Sequence, residues 1–164
     1  SRIPEIEKFV HVGIRDYCKE EADFVAQFPH RFSAFTDDYI SNKKFGEILN
    51  SSLSPISWYQ QCQTMLDSLP RNVYVSFDID GLDPAYCPDT GTPVPGGLHF
   101  KEARFLLEQT VRSGRRIIGV DLCEVAPAPG CQDYAADWNA NVGSRILYKL
   151  CSLAAHSVFG PHKD

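Results

Sequence analysis

The chain has 164 residues, of which 43% are hydrophobic and 23% charged, with a formal net charge of −5. That length fits a single globular domain that can bury a core without disulfide or metal staples. The acidic balance argues against a nucleic-acid partner, which would need a basic face, and leaves room for a cationic ligand.

No apolar run reaches the length of a membrane span, and the chain opens without a charged-then-apolar leader, so neither a membrane partner nor a signal peptide is expected. The cysteines, Cys18, Cys62, Cys87, Cys123, Cys131 and Cys151, form no Cys-x-x-Cys pair and no zinc-finger spacing. Small buried thiols in a reduced, cytoplasmic chain are the expectation.

In chain order, Phe9 to Arg15 is a β-type run that leads into the Glu-rich helix start Lys19-Glu20-Glu21-Ala22. Arg31 to Thr36 is a second, weaker strand signal. Ser54-Pro55 reads as a helix entry, with Ser54 as cap and Pro55 in the first turn, for a helix that runs to about Leu69 and stops at Pro70. Asn72 to Asp78 is a near-continuous apolar strand of the kind found at the centre of a parallel sheet. A Gly/Pro-dense loop, 81–98, precedes a helix from about Phe100 to Arg112. There Ala103, Leu106, Leu107 and Val111 recur at helical spacing, and Gly114 sits at the left-handed cap position. Arg116 to Glu124 is a further strand, followed by a second Pro/Gly loop, 127–130. A last helix, about Asp137 to Ala154, puts Val142, Ile146, Leu147, Leu150 and Leu153 on one face. Strands alternating with crossover helices predict an α/β fold with a mostly parallel sheet. Ligands in such sheets sit at the carboxyl ends of the strands, which points to Asp78 and Glu124.

Asp78 and Asp80 stand two apart in Ser76-Phe77-Asp78-Ile79-Asp80-Gly81-Leu82-Asp83-Pro84. If extended backbone continues through Asp80, both carboxylates share a face. Two such charges repel unless a cation neutralises them, and oxygen ligands suit a hard divalent ion such as Mn²⁺ or Mg²⁺. A loop-capping Asp-x-Asp is the plainer alternative. Asp83 and Gly81 fit a turn.

This stretch, continued by Gly91-Thr92-Pro93-Val94-Pro95-Gly96-Gly97-Leu98, resembles the second metal-binding signature of the ureohydrolase family of arginases, agmatinases, guanidinobutyrases and formimidoylglutamases. Gly119-Val120-Asp121-Leu122-Cys123-Glu124-Val125-Ala126-Pro127 is similar to the family's substrate-facing glutamate stretch. Asn141 to Leu147 and Val12 to Asp16 also resemble family segments. The resemblance implies a three-layer α/β/α arginase-type fold, of which residues 1–164 would be the C-terminal half, and two Mn²⁺ ions. Asp78 would bridge them, Asp80 would bind one, Glu124 would take up the guanidinium or formimidoyl group, and Thr92 would support that pocket. It further implies a homo-oligomer at full length.

The family's Gly-Gly-Asp-His and Asp-Ala-His-x-Asp stretches are not in this sequence, nor is a histidine in the context of its proton shuttle. The chain is therefore expected to be a fragment that binds Mn²⁺ poorly and is inactive alone. Among the five histidines, His99 at a helix start is expected to be a capping or surface group, and His11 a core residue. Two other classes remain open: a non-catalytic interaction module, and a metal-dependent deacetylase of related fold. The tail of the substrate is not legible; Phe100, Asp133 and Tyr134 are candidate pocket residues without a spacing argument.

Overall fold

The computed structural model describes residues 3–46 and 55–160. The chain divides into two compact units, Ser1–Pro70 and Arg71–Asp164. Both are α/β, built on parallel strand pairs. Among the described residues, no helix is long and apolar enough to cross a membrane.

In the first unit, β1 (Phe9–Ile14) pairs in parallel with β2 (Phe32–Thr36), with Phe9 opposite Phe32 and Ile14 opposite Thr36. The helix α1 (Lys19–Gln27) connects them, as a parallel pair requires a crossover. Phe9 stacks on Phe32 at 4.9 Å between ring centroids, and His11 meets Phe32 edge-on at 6.0 Å. His11 is thus half-buried among aromatic rings. The helix α2 (Asp37–Phe45) starts where Thr36 accepts the Tyr39 N–H at 3.2 Å; its acidic first turn and lysine-bearing last turn suit the helix dipole.

The next helix, α3, runs Trp58–Asp67, not from Pro55. Its cap is Ser57, which accepts the Gln60 N–H at 3.3 Å while Gln60 Oε1 accepts the Ser57 N–H at 3.0 Å. This reciprocal Ser-x-x-Gln box satisfies two helix-end donors and outcompetes the Ser54-Pro55 entry. Ser54 lies outside the described residues.

In the second unit, β3 (Asn72–Asp78) pairs in parallel with β4 (Arg116–Cys123), Asn72 opposite Arg116 and Asp78 opposite Cys123. The register slips once, between Val73 and Tyr74. Near this irregularity the Ile117 N–H leaves the ladder and is donated to the buried Ser157 hydroxyl at 3.0 Å, so that backbone donor keeps a partner. The expectation of a continuously buried central strand is corrected here. Val73 is buried and Val75 and Phe77 half-buried, while Tyr74, Ser76 and Asp78 are exposed. Alternation of this kind belongs to a strand covered on one face.

Two helices follow, α4 (Phe100–Arg112) and α5 (Trp138–Phe159). Ala103 and Leu107 of α4 are buried, and Gly114 just past its end has a φ of 86°. Val142, Ile146 and Leu150 form the buried face of α5. Leu147 does not join them: it is 45% exposed, because one residue further along a helix is turned by about 100°. The Lys149 ammonium reaches Glu108 Oε1 at 3.1 Å and ties α5 to α4. Between β3 and α4, the loop closes on itself where Leu98 donates its N–H to the Gly81 carbonyl and Asp83 donates to the Leu98 carbonyl, both at 3.0 Å. Gly97, with a φ of 94°, makes that closure possible, since a Cβ there would lie 2.7 Å from the Leu82 carbonyl.

Candidate active site

The carboxyl ends of β3 and β4 lie side by side, and each carries acidic residues. At β3 the extended backbone stops at Asp78, and residues Ile79–Gly81 form one turn of 3₁₀-helix. Asp78 Oδ1 accepts the Asp80 N–H at 3.2 Å, and Leu82 donates its N–H to the Ile79 carbonyl at 3.1 Å. The turn drives Ile79 fully into the core, which stabilises by about 2–3 kcal/mol. The shared face of Asp78 and Asp80 was expected from continued extension; the 3₁₀ turn replaces that extension, and Asp78 caps it. The two carboxylates nevertheless remain neighbours. Asp78's carboxyl is pushed above the ordinary carboxylate range, first by partial burial and then by the negative charges of Asp80 and Glu124, against the Asp80 N–H, which pulls it down. The residue keeps an open side to solvent, so this desolvation is local to the carboxyl group.

At β4 the strand ends at Cys123, one residue before the expected Glu124. Among the described residues, Glu124 is the non-glycine residue with positive φ, at 62°. Its carboxylate turns toward the loop after β3: a Cβ added to Gly91 would lie 3.0 Å from Glu124 Oε2. The loop tripeptide Thr90-Gly91-Thr92 ties the two strand ends together. Thr90 donates its hydroxyl to the Glu124 carbonyl at 2.9 Å, and Thr92 donates its hydroxyl to Asp80 Oδ2 at 2.9 Å. Asp78, Asp80, Thr92 and Glu124 are thus gathered at one end of one strand pair.

Oxygen donors under mutual repulsion fit a hard divalent cation, and charge neutralisation would relieve the pair. They fit as part of a ligand set: among the described residues, no group of three or more His, Cys, Asp or Glu is placed to hold a metal. His99 precedes α4, is exposed, donates its backbone N–H to Glu102 Oε2 at 3.0 Å, and has Nδ1 3.4 Å from the Tyr86 hydroxyl. His30 and His156 are exposed, and His162 lies outside the described residues. Of the candidate pocket residues, Phe100 packs against Tyr86, Asp133 Oδ1 accepts the Ala135 N–H at 3.0 Å, and Tyr134 is 64% exposed.

Sequence reasoning gave no weight to Thr90, Asp89 or Asn139. Asp89 and Thr90 directly precede Gly91-Thr92, but their partners, 50 and 34 residues away, left no local signal. Asp121 was passed over too. It accepts the Ser76 hydroxyl at 2.7 Å on the exposed sheet face, and that bond above all holds its carboxyl below the usual range.

Two acidic strand ends are thus laced by a Gly-Thr-Pro loop at the carboxyl end of a parallel strand pair. Residues 2–152 match the Arginase family, and the chain belongs to that family. It is 31% identical to human arginase-1 over 154 residues, covering 94% of this chain and 43% of that protein. It is 31% identical to the arginase of Schizosaccharomyces pombe over 135 residues, 82% of this chain and 38% of the relative. The chain therefore spans about two-fifths of the length of these curated relatives. Among solved structures, an agmatinase from Burkholderia thailandensis, titled hypothetical, superposes with a TM-score of 0.67 at 25% identity, over 93% of this chain and 40% of that one. Proclavaminate amidino hydrolase from Streptomyces clavuligerus gives 0.62 at 28%, over 90% and 42%. The α/β architecture is thus a partial arginase-type fold.

Proposed function

We propose that the protein is a manganese-dependent amidinohydrolase that cleaves the C–N bond of a small guanidino or formimidoyl compound, giving urea or formamide plus an amine. The observation that carries this reading is the left-handed exit of β4 together with the Glu124 carboxylate lying against Gly91, next to the Thr92 that bonds Asp80. Asp78 and Asp80 are the proposed metal ligands. When bound, Mn²⁺ lowers the pKa of water enough to make hydroxide available at neutral pH.

The chain's own residues supply the rest of the argument. A guanidinium ion is planar and always charged, so a carboxylate such as Glu124 can accept two parallel N–H bonds from it. Held there, its carbon faces the aspartates while its alkyl tail points away. The Thr92 hydroxyl bonds to Asp80 Oδ2 and restricts that carboxylate to one orientation. Water adds to the central carbon, the bond to the tail nitrogen breaks, and the amine leaves with a proton.

Two aspartates do not complete a metal site, so the remaining ligands would come from outside this chain, consistent with its share of the relatives' length. The 164-residue chain alone is accordingly proposed to be inactive. The test is amine and urea release from arginine, agmatine, guanidinobutyrate and formimidoylglutamate with added Mn²⁺ or Zn²⁺, comparing the complete protein with residues 1–164. Mn²⁺-dependent turnover of one of these by the complete protein is expected. Zn²⁺-dependent deacylation without amidine turnover would overturn the reading. Turnover by residues 1–164 within about tenfold of the complete protein, about 1.4 kcal/mol in barrier, would overturn the claim of incompleteness.

A further inference from the structure

The left-handed conformation of Glu124 is imposed from outside β4. Residues with a Cβ rarely adopt a φ of 62°, and such strain persists only where the surroundings over-determine it. The carbonyl of Glu124 accepts the hydroxyl of Thr90, which is itself buried, 5% exposed. Thr90 has little freedom because the residue before it is locked to the first turn of α5. Asn139 Nδ2 donates to Asp89 Oδ2 at 2.8 Å, and the Asp89 N–H donates to Asn139 Oδ1 at 3.4 Å. Asn139 is 1% exposed, so this two-way pair is shielded from competing water. On the other side of Glu124, Val125 presses on α5 at Gly143, where a Cβ would lie 2.7 Å from Val125 Cγ1. The beginning of α5 therefore holds both the residue before Thr90 and the residue after Glu124.

We propose that Thr90, backed by the Asp89–Asn139 pair, is a positioning residue that fixes the direction of the Glu124 carboxylate. The inference rests on the reading of Glu124 as the guanidinium-binding group. A hydroxyl bound to the carbonyl fixes the peptide plane after Glu124. Releasing that plane lets φ relax toward negative values and swings the side chain off the line toward Gly91 and Asp78. None of these three residues touches the reacting atoms, so their loss changes substrate use while leaving the metal ligands in place.

The experiment uses the complete Mn²⁺-loaded protein, its preferred guanidino substrate, and guanidinium ion as a competitive probe. Thr90→Val keeps the shape and removes the donor; it is expected to lower kcat/KM and weaken guanidinium inhibition by about tenfold or more, at unchanged bound manganese. Thr90→Ser restores the donor and is expected within twofold of wild type. Asn139→Ser, which removes the lock behind Thr90, is expected to fall between them and carries the same test if Thr90→Val does not fold. Wild-type kcat/KM in both Thr90→Val and Asn139→Ser, beside a large loss in Glu124→Gln, overturns the positioning role. Wild-type kcat/KM in Glu124→Gln overturns the function assigned to Glu124 instead. The clamp is then judged by thermal unfolding of Thr90→Val in wild-type and Glu124→Gly backgrounds. Glycine takes positive φ without strain, so the Tm loss from Thr90→Val is expected to be at least halved in the glycine background. Additive losses would show that Thr90 does not hold that backbone.

Discussion

The neighbouring strands β3 and β4 end opposite each other, Asp78 facing Cys123, and both leave the sheet by an abrupt turn, yet the turns are held in opposite ways. The β3 exit is local. Asp78 caps its own 3₁₀ turn through the Asp80 N–H, and Ile79 anchors it by burial. The β4 exit is remote. Glu124 is held in the left-handed region by Thr90, 34 residues away, and its neighbour Val125 rests on Gly143 of α5. The backbone turn that carries the proposed metal ligands is thus capped locally, with Thr92 holding the Asp80 carboxylate, whereas the turn at the proposed substrate-binding carboxylate is set by residues of the rest of the unit. Sequence changes far from β4 can therefore retune substrate binding without disturbing the aspartates.

That contrast can be broken at either end. The largest effect is expected from Asp78→Asn in the complete protein. Urea or amine release should fall by about 10³-fold or more, about 4 kcal/mol in barrier, with loss of bound manganese. In the metal-free protein the same change relieves repulsion from Asp80 and Glu124, so thermal stability should hold or rise. A metal-free variant that melts well below wild type would mean that the β3 exit needs the Asp78 charge to fold. Next, Ile79→Ala removes the anchor of the β3 exit. Chemical denaturation should register a loss of about 2–5 kcal/mol, and a loss below about 1 kcal/mol would show that the turn stands without its buried residue. Gly143→Ala strikes the β4 exit by overpacking Val125. A loss of about 1–3 kcal/mol is expected, together with a raised KM that a purely structural defect in β3 would not produce.

The smallest effect concerns Asp137, which caps α5 and braces the loop after β4. Its carboxylate accepts the Ala140 N–H at 2.7 Å and the Ala128 N–H at 2.8 Å. These bonds hold its carboxyl below the usual range, the Ala128 bond first. A lowered folded-state pKa gives stability that is present above the unfolded value of about 3.9 and is lost as pH falls through the folded one. The Tm advantage of wild type over Asp137→Asn should therefore be constant above about pH 5 and shrink below about pH 4. Parallel Tm curves across that range would remove Asp137 from the account.

The same contrast explains what the sequence disclosed. The position of the β3 exit was legible because its markers are local: the end of an apolar run, an Asp-x-Asp and a glycine. The α/β alternation and the bounds of β3 and α4 were legible from apolar runs and periodicity. The conformation beyond Asp78 was not, since a side-chain cap redirects the backbone where alternation would continue it. Nor was the support of Glu124, because Thr90, Asp89 and Asn139 acquire meaning only once the loop after β3 is folded against α5. Leu147 shows the same limit on a helix: a run of apolar residues does not say which one the neighbouring elements cover.

The central claim is that Glu124 serves the substrate while Asp78 and Asp80 serve the metal, and it is tested most directly by Glu124→Gln in the complete protein. Bound manganese and turnover of the preferred guanidino substrate are measured on the same preparation. Manganese content equal to wild type with kcat/KM lowered about 100-fold, about 2.7 kcal/mol, is the predicted result. Loss of manganese on this substitution, or turnover that survives it, would contradict the division of the site between its two strand ends.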